Sequence, residues 1–498
     1  MSQLIATVLF GILIIGLFVL DRDKKTRTSK ALWIPLIYLL IIGSRPVSSW
    51  LGDTASKDAL YGDGIYSSPI DGAINFGLMG LAVIVLIARW GKVWLLLQRS
   101  GPILLFYSYA ALSMFWSDFP MSTLKHWSKA VEDVMMVLII TTDPDPKGAM
   151  KRVLTRVGFI LIPISLLFAK YYPDLGRSFN KDWETIYNGV SETKNMLGVI
   201  CLIFGLTSVW CLLAAFKERK GASRKRHLLA HGIMLGTILL LLGMSHSATA
   251  SVCLMLSGSV MIVVSRGSRG AGVSKVHLAA AAAFCVALIP LFIAPSLVQS
   301  LGRDATFSGR TTIWHILPTF VRNPWLGAGY ETFLMGPRLV QLKAIIDKTF
   351  QEAHNGYLEV WLNLGWVGVV LFAFLLITGY QRVVAAFRRD PTVGNLRLAF
   401  FVAVVIEGLT EAPFRMLSPT WFLLLWSMTD DWKAVRVSPR RLWRERSPGP
   451  GAWSDGSATQ DDHDTTESEI LVSVSGHSAL GKTTKTNRSN GTGVSAPK

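Results

Sequence analysis

At 498 residues, 51% of them hydrophobic and only 17% charged, with a mean hydropathy of +0.40, the chain is too apolar for a water-soluble globular protein. The net charge of +17 would suit a nucleic-acid binder only if the basic residues shared one surface, and they do not. Four cysteines, Cys201, Cys211, Cys253 and Cys285, all fall in apolar runs, so neither a disulfide framework nor a metal-ligand spacing is present.

Stretches free of Asp, Glu, Lys and Arg cover 2–20, 72–88, 100–117, 195–216, 227–265, 276–302 and 360–381. A span needs about 20 apolar residues, so most of these hold one membrane helix and 227–265 holds two. Weaker candidates lie at 31–51, 131–142, 157–172, 398–412 and 416–430. The expected fold is all-α: a polytopic membrane protein of about 12–13 transmembrane helices with a large periplasmic loop. The first apolar stretch lacks a basic lead and a small-residue cleavage site, which predicts an uncleaved helix.

Assigning loops to alternate sides gives 31 Lys and Arg on one side and 15 on the other. This is a positive-inside pattern, with the basic loops and the carboxyl tail in the cytoplasm and the loop around 300–360 outside. The basicity is topology rather than a nucleic-acid footprint. If 131–142 does not span, the amino-terminal half flips, but the placement of 300–360 does not depend on that segment.

In chain order, Arg45 and Trp50 close the second span, where Arg45 either snorkels to head groups or lines a cavity. Lys125, His126 and Lys129 recur at helical spacing beside Glu132 and Asp133. They form either an amphipathic interfacial helix or a helix lining a polar cavity. Asp143-Pro144-Asp145 resembles the acidic pattern that holds a metal-bound nucleotide sugar, but two prolines on the cytoplasmic side predict a turn. Lys194-Asn195 abuts a new span. The turn SHSATAS carries His246, either a ligand or base, or a histidine satisfied at a helix end. Glu407 and Glu411 fall inside the segment 398–412, where charge is either functional or paired.

The stretch from Gly309 to Leu362 is the candidate active site, too aromatic and patterned for a disordered loop. GRTTIWHILPTFVRNP has helical apolar spacing, and LVQLKAIIDKTF is a second amphipathic piece, a plausible lid. Between them Gly327 and Gly329 let backbone approach a ligand closely. Arg303, Arg310, Arg322 and Arg338 supply fixed cations able to fork onto phosphate oxygens. His354 stands at the start of the next span, and a histidine is the usual proton acceptor for an attacking hydroxyl. Such a set fits departure of a lipid-linked diphosphate; the bland alternative is arginines facing head groups and a histidine capping a helix.

Gly309-Arg310 with Trp314, then Asn323-Pro-Trp-Leu-Gly327-Ala-Gly329-Tyr330, then Ala353-His354-Asn355-Gly-Tyr357-Leu358, resembles the O-antigen ligase and Wzy-type polymerase superfamily, most nearly its exopolysaccharide-production (ExoQ-like) branch. The likeness runs over roughly 30–430, including Trp116-Ser117 with Lys125, but only the block 309–358 is specific. The resemblance implies transfer or polymerisation of glycans from undecaprenyl-diphosphate donors at the periplasmic face of a bacterial inner membrane, with no cofactor and no metal. It implies that His354 activates the acceptor hydroxyl and Arg310 holds the diphosphate. Arg303, Arg338, Lys194, Asn195, Tyr330, Asn355 and His246 would line the substrate site. Expected partners are the lipid-linked oligosaccharide donor, a glycan acceptor, membrane lipids and other polysaccharide synthesis or export proteins, and no nucleic acid. Where the family places Arg or Lys after the serines of SHSATAS, this chain has Ala248, so His246 or Arg303 would have to substitute.

The expected domains are an amino-terminal bundle at 1–299, a periplasmic catalytic loop at 300–360, carboxyl-terminal helices at 361–432, and a basic then disordered cytoplasmic tail at 433–498. Gly476 to Thr483, GHSALGKT, matches a phosphate-loop pattern, but too little chain follows to build its sheet. Polymerase and ligase differ only in acceptor and both remain open. A secondary transporter is a further alternative, though no internal repeat supports it.

Overall fold

The computed structural model describes residues 2–22, 27–52, 68–179, 183–266, 272–300, 310–346 and 352–433. Among these the helices are, in order, α1 (Gln3–Leu20), α2 (Trp33–Ile42), α3 (Val47–Trp50), α4 (Pro69–Ala88), α5 (Trp90–Leu97), α6 (Gly101–Leu112), α7 (Pro120–Thr141), α8 (Pro146–Tyr171) and α9 (Pro173–Gly176). They continue with α10 (Lys194–Lys217), α11 (Ala222–Ser245), α12 (Ala248–Ser265), α13 (Gly272–Ser300), α14 (Arg310–Ile316), α15 (Gly336–Ile346), α16 (Gly356–Arg389), α17 (Pro391–Glu407) and α18 (Pro419–Met428). A two-stranded antiparallel hairpin, β1 (Arg177–Phe179) with β2 (Thr185–Tyr187), is the only sheet among the described residues. The phosphate-loop-like stretch of the tail lies outside the described residues.

Among the described residues seven helices, α1, α4, α8, α10, α11, α12 and α16, are long and apolar enough to cross a membrane. With the shorter apolar helices beside them they make an all-α polytopic membrane protein. Lipid replaces a buried core for part of this set: α1 is apolar all round, yet most of its large side chains, Leu4, Ile12 and Ile15 among them, are exposed. The centre is filled by α17 and α18, with Trp421, Phe400, Phe422 and Trp426 fully buried.

Two weak segments of the sequence are parts of longer helices. The run 131–142 is, up to Thr141, the second half of α7, a helix that buries Thr123, His126 and Lys129 before that run and Glu132 and Asp133 at its start. The run 398–412 begins within α17, which starts at Pro391 and buries Asn395 and Arg397. Polar residues that face protein shorten the apparent apolar run without shortening the helix. That segment also ends early, because α17 stops at Glu407 and leaves Glu411 in the connection to α18 rather than inside a span. The candidate at 31–51 is broken at Gly43–Pro46 into α2 and α3.

Asp143 sits in the turn expected of it: its Oδ2 accepts from the Ser29 hydroxyl at 2.6 Å and the Ser29 amide at 3.1 Å. Arg45 is held by protein carbonyls near the end of α3. Its guanidinium donates to the Ser191 and Leu175 carbonyls and lies 5.4 Å from the Trp50 ring, pinning the hairpin segment to α3.

The turn Asn323–Tyr330 differs from its expectation. Gly365 breaks α16 with φ +63°, freeing carbonyls before it and amides after it. The turn fills them: Ala328 and Gly329 amides donate to the Leu362 and Asn363 carbonyls at 3.1 and 2.9 Å, and Trp366 and Val367 amides donate to the Pro324 and Trp325 carbonyls. A Cβ on Gly327 would lie 2.5 Å from the Asn363 backbone. The close approach that Gly327 permits is to the α16 backbone, where buried amides and carbonyls must be paired, and that of Gly329 is to the Ser117 and Thr332 side chains.

Candidate active site

The start of α16 delivers His354. Asn355 caps the helix, its side-chain oxygen accepting from the Tyr357 and Leu358 amides at 3.1 Å. The Gly356 amide donates to the Gly408 and Glu411 carbonyls at 2.9 and 2.8 Å, tying the helix start to the α17–α18 connection. His354 itself has φ +50°, a left-handed conformation uncommon outside glycine; His246, Glu331 and Leu417 share it. Backbone strain is thus concentrated around one end of the bundle.

Glu411 is the hub there. Its Oε1 lies 2.7 Å from Arg310 Nη2, and Arg310 also donates to the Thr410 carbonyl. Asn195 Nδ2, from the first turn of α10, donates to both Glu411 oxygens at 3.3 Å. His354 Nδ1 is 3.3 Å from Glu411 Oε2 and 3.0 Å from Glu352 Oε1. A nitrogen between two carboxylates must carry a proton, which leaves Nε2 as the ring nitrogen that these carboxylates do not hold.

Glu352 joins this hub to a second one. Arg415 Nε lies 3.2 Å from Glu331 and 3.9 Å from Glu359, and Arg415 Nη1 lies 3.5 Å from Glu352. Glu359 Oε1 also accepts from the Ala353 amide at 2.7 Å.

Burial pushes the His354 pKa down, but hydrogen bonds and charge from Glu352 and Glu411 outweigh it and raise the imidazole to about 9. Burial pushes Glu352 up, and its contacts with His354, Arg415 and Arg310 bring it net below the usual range. For Glu331 burial wins over Arg415 and the carboxyl is raised. Burial works against the Arg415 charge, and its three carboxylates more than restore it.

The ligand atoms of Glu352, His354 and Glu411 lie within 4.8 Å of one another, a spacing that could close on a metal ion. Arg310 and Asn195 already hold Glu411, and Arg415 holds Glu352. A metal would have to compete with two guanidinium pairs, so the donor set suits ion pairing better than metal binding.

Of the residues expected at the site, His354, Arg310 and Asn195 meet on Glu411, and Asn355 caps the helix that follows His354. Tyr330 is buried beside Glu331, its amide donating to the Ser113 hydroxyl at 2.9 Å. Lys194 is exposed next to Asn195, and His246 is exposed in the turn between α11 and α12. That turn reaches the same end of the bundle, because the Thr249 hydroxyl lies 3.1 Å from that of Thr410. Arg338 is elsewhere: it pairs with Asp118 at 2.6 Å and stacks on Phe333. Arg322 pairs with the same aspartate. Arg303 lies outside the described residues.

Sequence reasoning missed Glu331, Glu352, Glu359 and Arg415. A signal existed for two of them: Glu352 precedes His354 by two residues, and Arg415 follows Glu411 by four in the polar break between apolar runs.

Geometry defines a class: a polytopic membrane protein whose polar chemistry is gathered at one end of the bundle, around a histidine, two arginines and several carboxylates. Residues 231–373 match the O-antigen ligase family, a stretch that contains both Arg310 and His354. The chain is also similar to the exopolysaccharide production protein ExoQ of Rhizobium meliloti (strain 1021), at 22% identity over 290 residues. That similarity covers 56% of this chain and 64% of the relative's length. Both findings are similarities over part of the chain, to the O-antigen ligase family and to an ExoQ protein.

Proposed function

We propose that the protein is a membrane glycosyltransferase that joins glycans at the periplasmic face of a bacterial inner membrane. The donor is an undecaprenyl-diphosphate-linked oligosaccharide and the acceptor a glycan hydroxyl. The observation that carries this reading is the shared carboxylate: Glu411 holds Arg310 through one oxygen and His354 through the other. A diphosphate arriving at Arg310 competes with Glu411 for the guanidinium, and the fork geometry of arginine suits phosphate as well as carboxylate. Released from Arg310, Glu411 is left to His354.

His354 Nε2 then takes the proton of the acceptor hydroxyl, the oxygen attacks the anomeric carbon, and the bond from that carbon to the diphosphate breaks with inversion. The diphosphate leaves with the electron pair, its charge held by Arg310. This gives to an arginine the role a metal would otherwise fill. The positive-inside distribution supports an outward-facing site and a cytoplasmic carboxyl terminus.

The name of the ExoQ relative favours a polymerase of exopolysaccharide repeat units over a ligase to lipid A core. A deletion strain separates them: loss of high-mass polymer with repeat units retained marks a polymerase, and intact polymer unattached to lipid A core marks a ligase. For the reaction itself, purified His354→Ala protein should show no transfer from a lipid-diphosphate donor while its expression and thermal unfolding stay normal. Undiminished turnover would overturn the proposal.

A further inference from the structure

We propose that the cleft between α4 and α7 is a saccharide-binding subsite, separate from the His354 cluster. It encloses about 300 Å³ and is lined by Ser68, Asn75 and Phe76 from the α4 side and by Lys125, Lys129 and Glu132 from α7, among others. That volume is at the lower end for small-molecule sites, the size of a short saccharide.

The observation that calls for a ligand is Glu132. It is 1% exposed, and its Oε1 has no hydrogen-bond partner among the described residues. Burying a carboxylate oxygen without a donor is costly, and a ligand hydroxyl in the cleft would remove that cost. The rest of the lining agrees with a polyol. Glu132 accepts and the Asn75 amide both donates and accepts, beside the Lys125 and Lys129 cations, which matches the mixed donors and acceptors of a sugar ring. Phe76, 63% exposed, offers an apolar face for the C–H side of such a ring. A phosphate alone would meet the lysines but would have to sit against the Glu132 carboxylate, so the mixed lining favours a glycan over an anion.

Its place fits a glycan that also reaches the active site. Just before α7, the Ser117 hydroxyl meets that of Thr332 at 3.1 Å, putting the start of this helix against the 310–355 segment. Asp133, the neighbour of Glu132, turns the other way, and its Oδ2 accepts from the Leu417 amide two residues beyond Arg415. One helix therefore separates the cleft from the cluster. We assign the cleft to the sugar chain of a lipid-linked glycan, held while its reacting end lies at His354. This role, though not the binding, rests on the glycan-transfer reading above.

The test uses the full chain in lipid nanodiscs. The probes are the oligosaccharide freed by mild acid from the polyprenyl-diphosphate-linked glycans of the producing cells, and inorganic pyrophosphate, each titrated by saturation-transfer NMR. Phe76→Ala, at an exposed position that should fold normally, removes the apolar face and Glu132→Gln removes a charged acceptor, and each should weaken oligosaccharide binding by about tenfold. His354→Ala should bind it normally while transferring nothing. Absence of oligosaccharide binding, binding unchanged in Phe76→Ala and Glu132→Gln, or a site that binds only pyrophosphate and loses it in Lys129→Ala would overturn the inference. If His354→Ala transferred normally while Phe76→Ala lost the oligosaccharide, the catalytic reading would fall and the subsite would stand.

Discussion

A histidine between two carboxylates is a stronger base than a free one, and a slower one to become available. His354 is raised to about 9 by Glu352 and Glu411, against its own burial. If it accepts the hydroxyl proton, kcat/KM should rise with pH and level off only near pH 9, because only the neutral ring is competent. Glu352→Gln removes one of the two carboxylates while leaving Arg310 and Glu411 paired. The limb should then move down toward the ordinary histidine value of about 6.5, which a pH series of initial rates would read directly. A limb that stays in place in the variant would mean that another group titrates. The same shift has a sign for stability. Below about pH 6.5 the ring is protonated in both folded and unfolded protein, and its ion pairs contribute in full. As pH rises through about 9 the folded protein releases the proton and that contribution is lost.

Among the elements, α16 carries the site by being two helices. The break at Gly365 turns backbone groups outward, and the Asn323–Tyr330 turn completes them, so the long connection is hydrogen-bonded to a membrane helix instead of draped over it. A Cβ at Gly365 would stand 2.2 Å from the Trp325 carbonyl oxygen, at a φ of +63°. Gly365→Ala should therefore cost at least about 2 kcal/mol, adding the left-handed penalty to a contact that neither backbone can yield. Gly80→Ala, where a Cβ meets nothing within 4 Å, should be neutral or slightly stabilising. Thermal unfolding of the two variants in one detergent makes the comparison. The motif Asn-Pro-Trp-Leu-Gly-Ala-Gly-Tyr was legible as a tight turn, because its glycines and proline are local signals. What the turn packs on was not, since nothing in its own residues names a helix break some 40 positions away. The same holds for the site: Arg310 and His354 were visible by type and motif, whereas Arg415 became a partner of Glu331 and Glu359 only through packing.

For the whole molecule, the ends of the helices fix which loops share a side. The α11–α12 turn lies at the site end, because Thr249 meets Thr410. The 24 residues of α11 then carry its start about 36 Å away to the opposite end. α1 runs between the same two ends: Gln3 donates to the Tyr171 carbonyl near one, and Asp21 meets His231 and Lys151 near the other. α7 does likewise, from Ser117 beside Thr332 to Thr142 beside Arg89. The segment 131–142, which left the threading of the amino-terminal half open, is thus the far part of a helix that passes between the two ends. Charge follows geometry, for the runs at 217–226 and 382–389 gather at the end away from His354. In a cysteine-free background, a single cysteine at the exposed Gln341 should react with an impermeant maleimide on intact spheroplasts. One at the exposed Ser223 should react only after the membrane is opened. The reverse pattern, or reaction of both only after the membrane is opened, would place the His354 cluster in the cytoplasm and remove a periplasmic glycan transfer from consideration. Reaction at Gln341 alone would leave the cluster facing the compartment where lipid-linked glycans are expected to meet their acceptors.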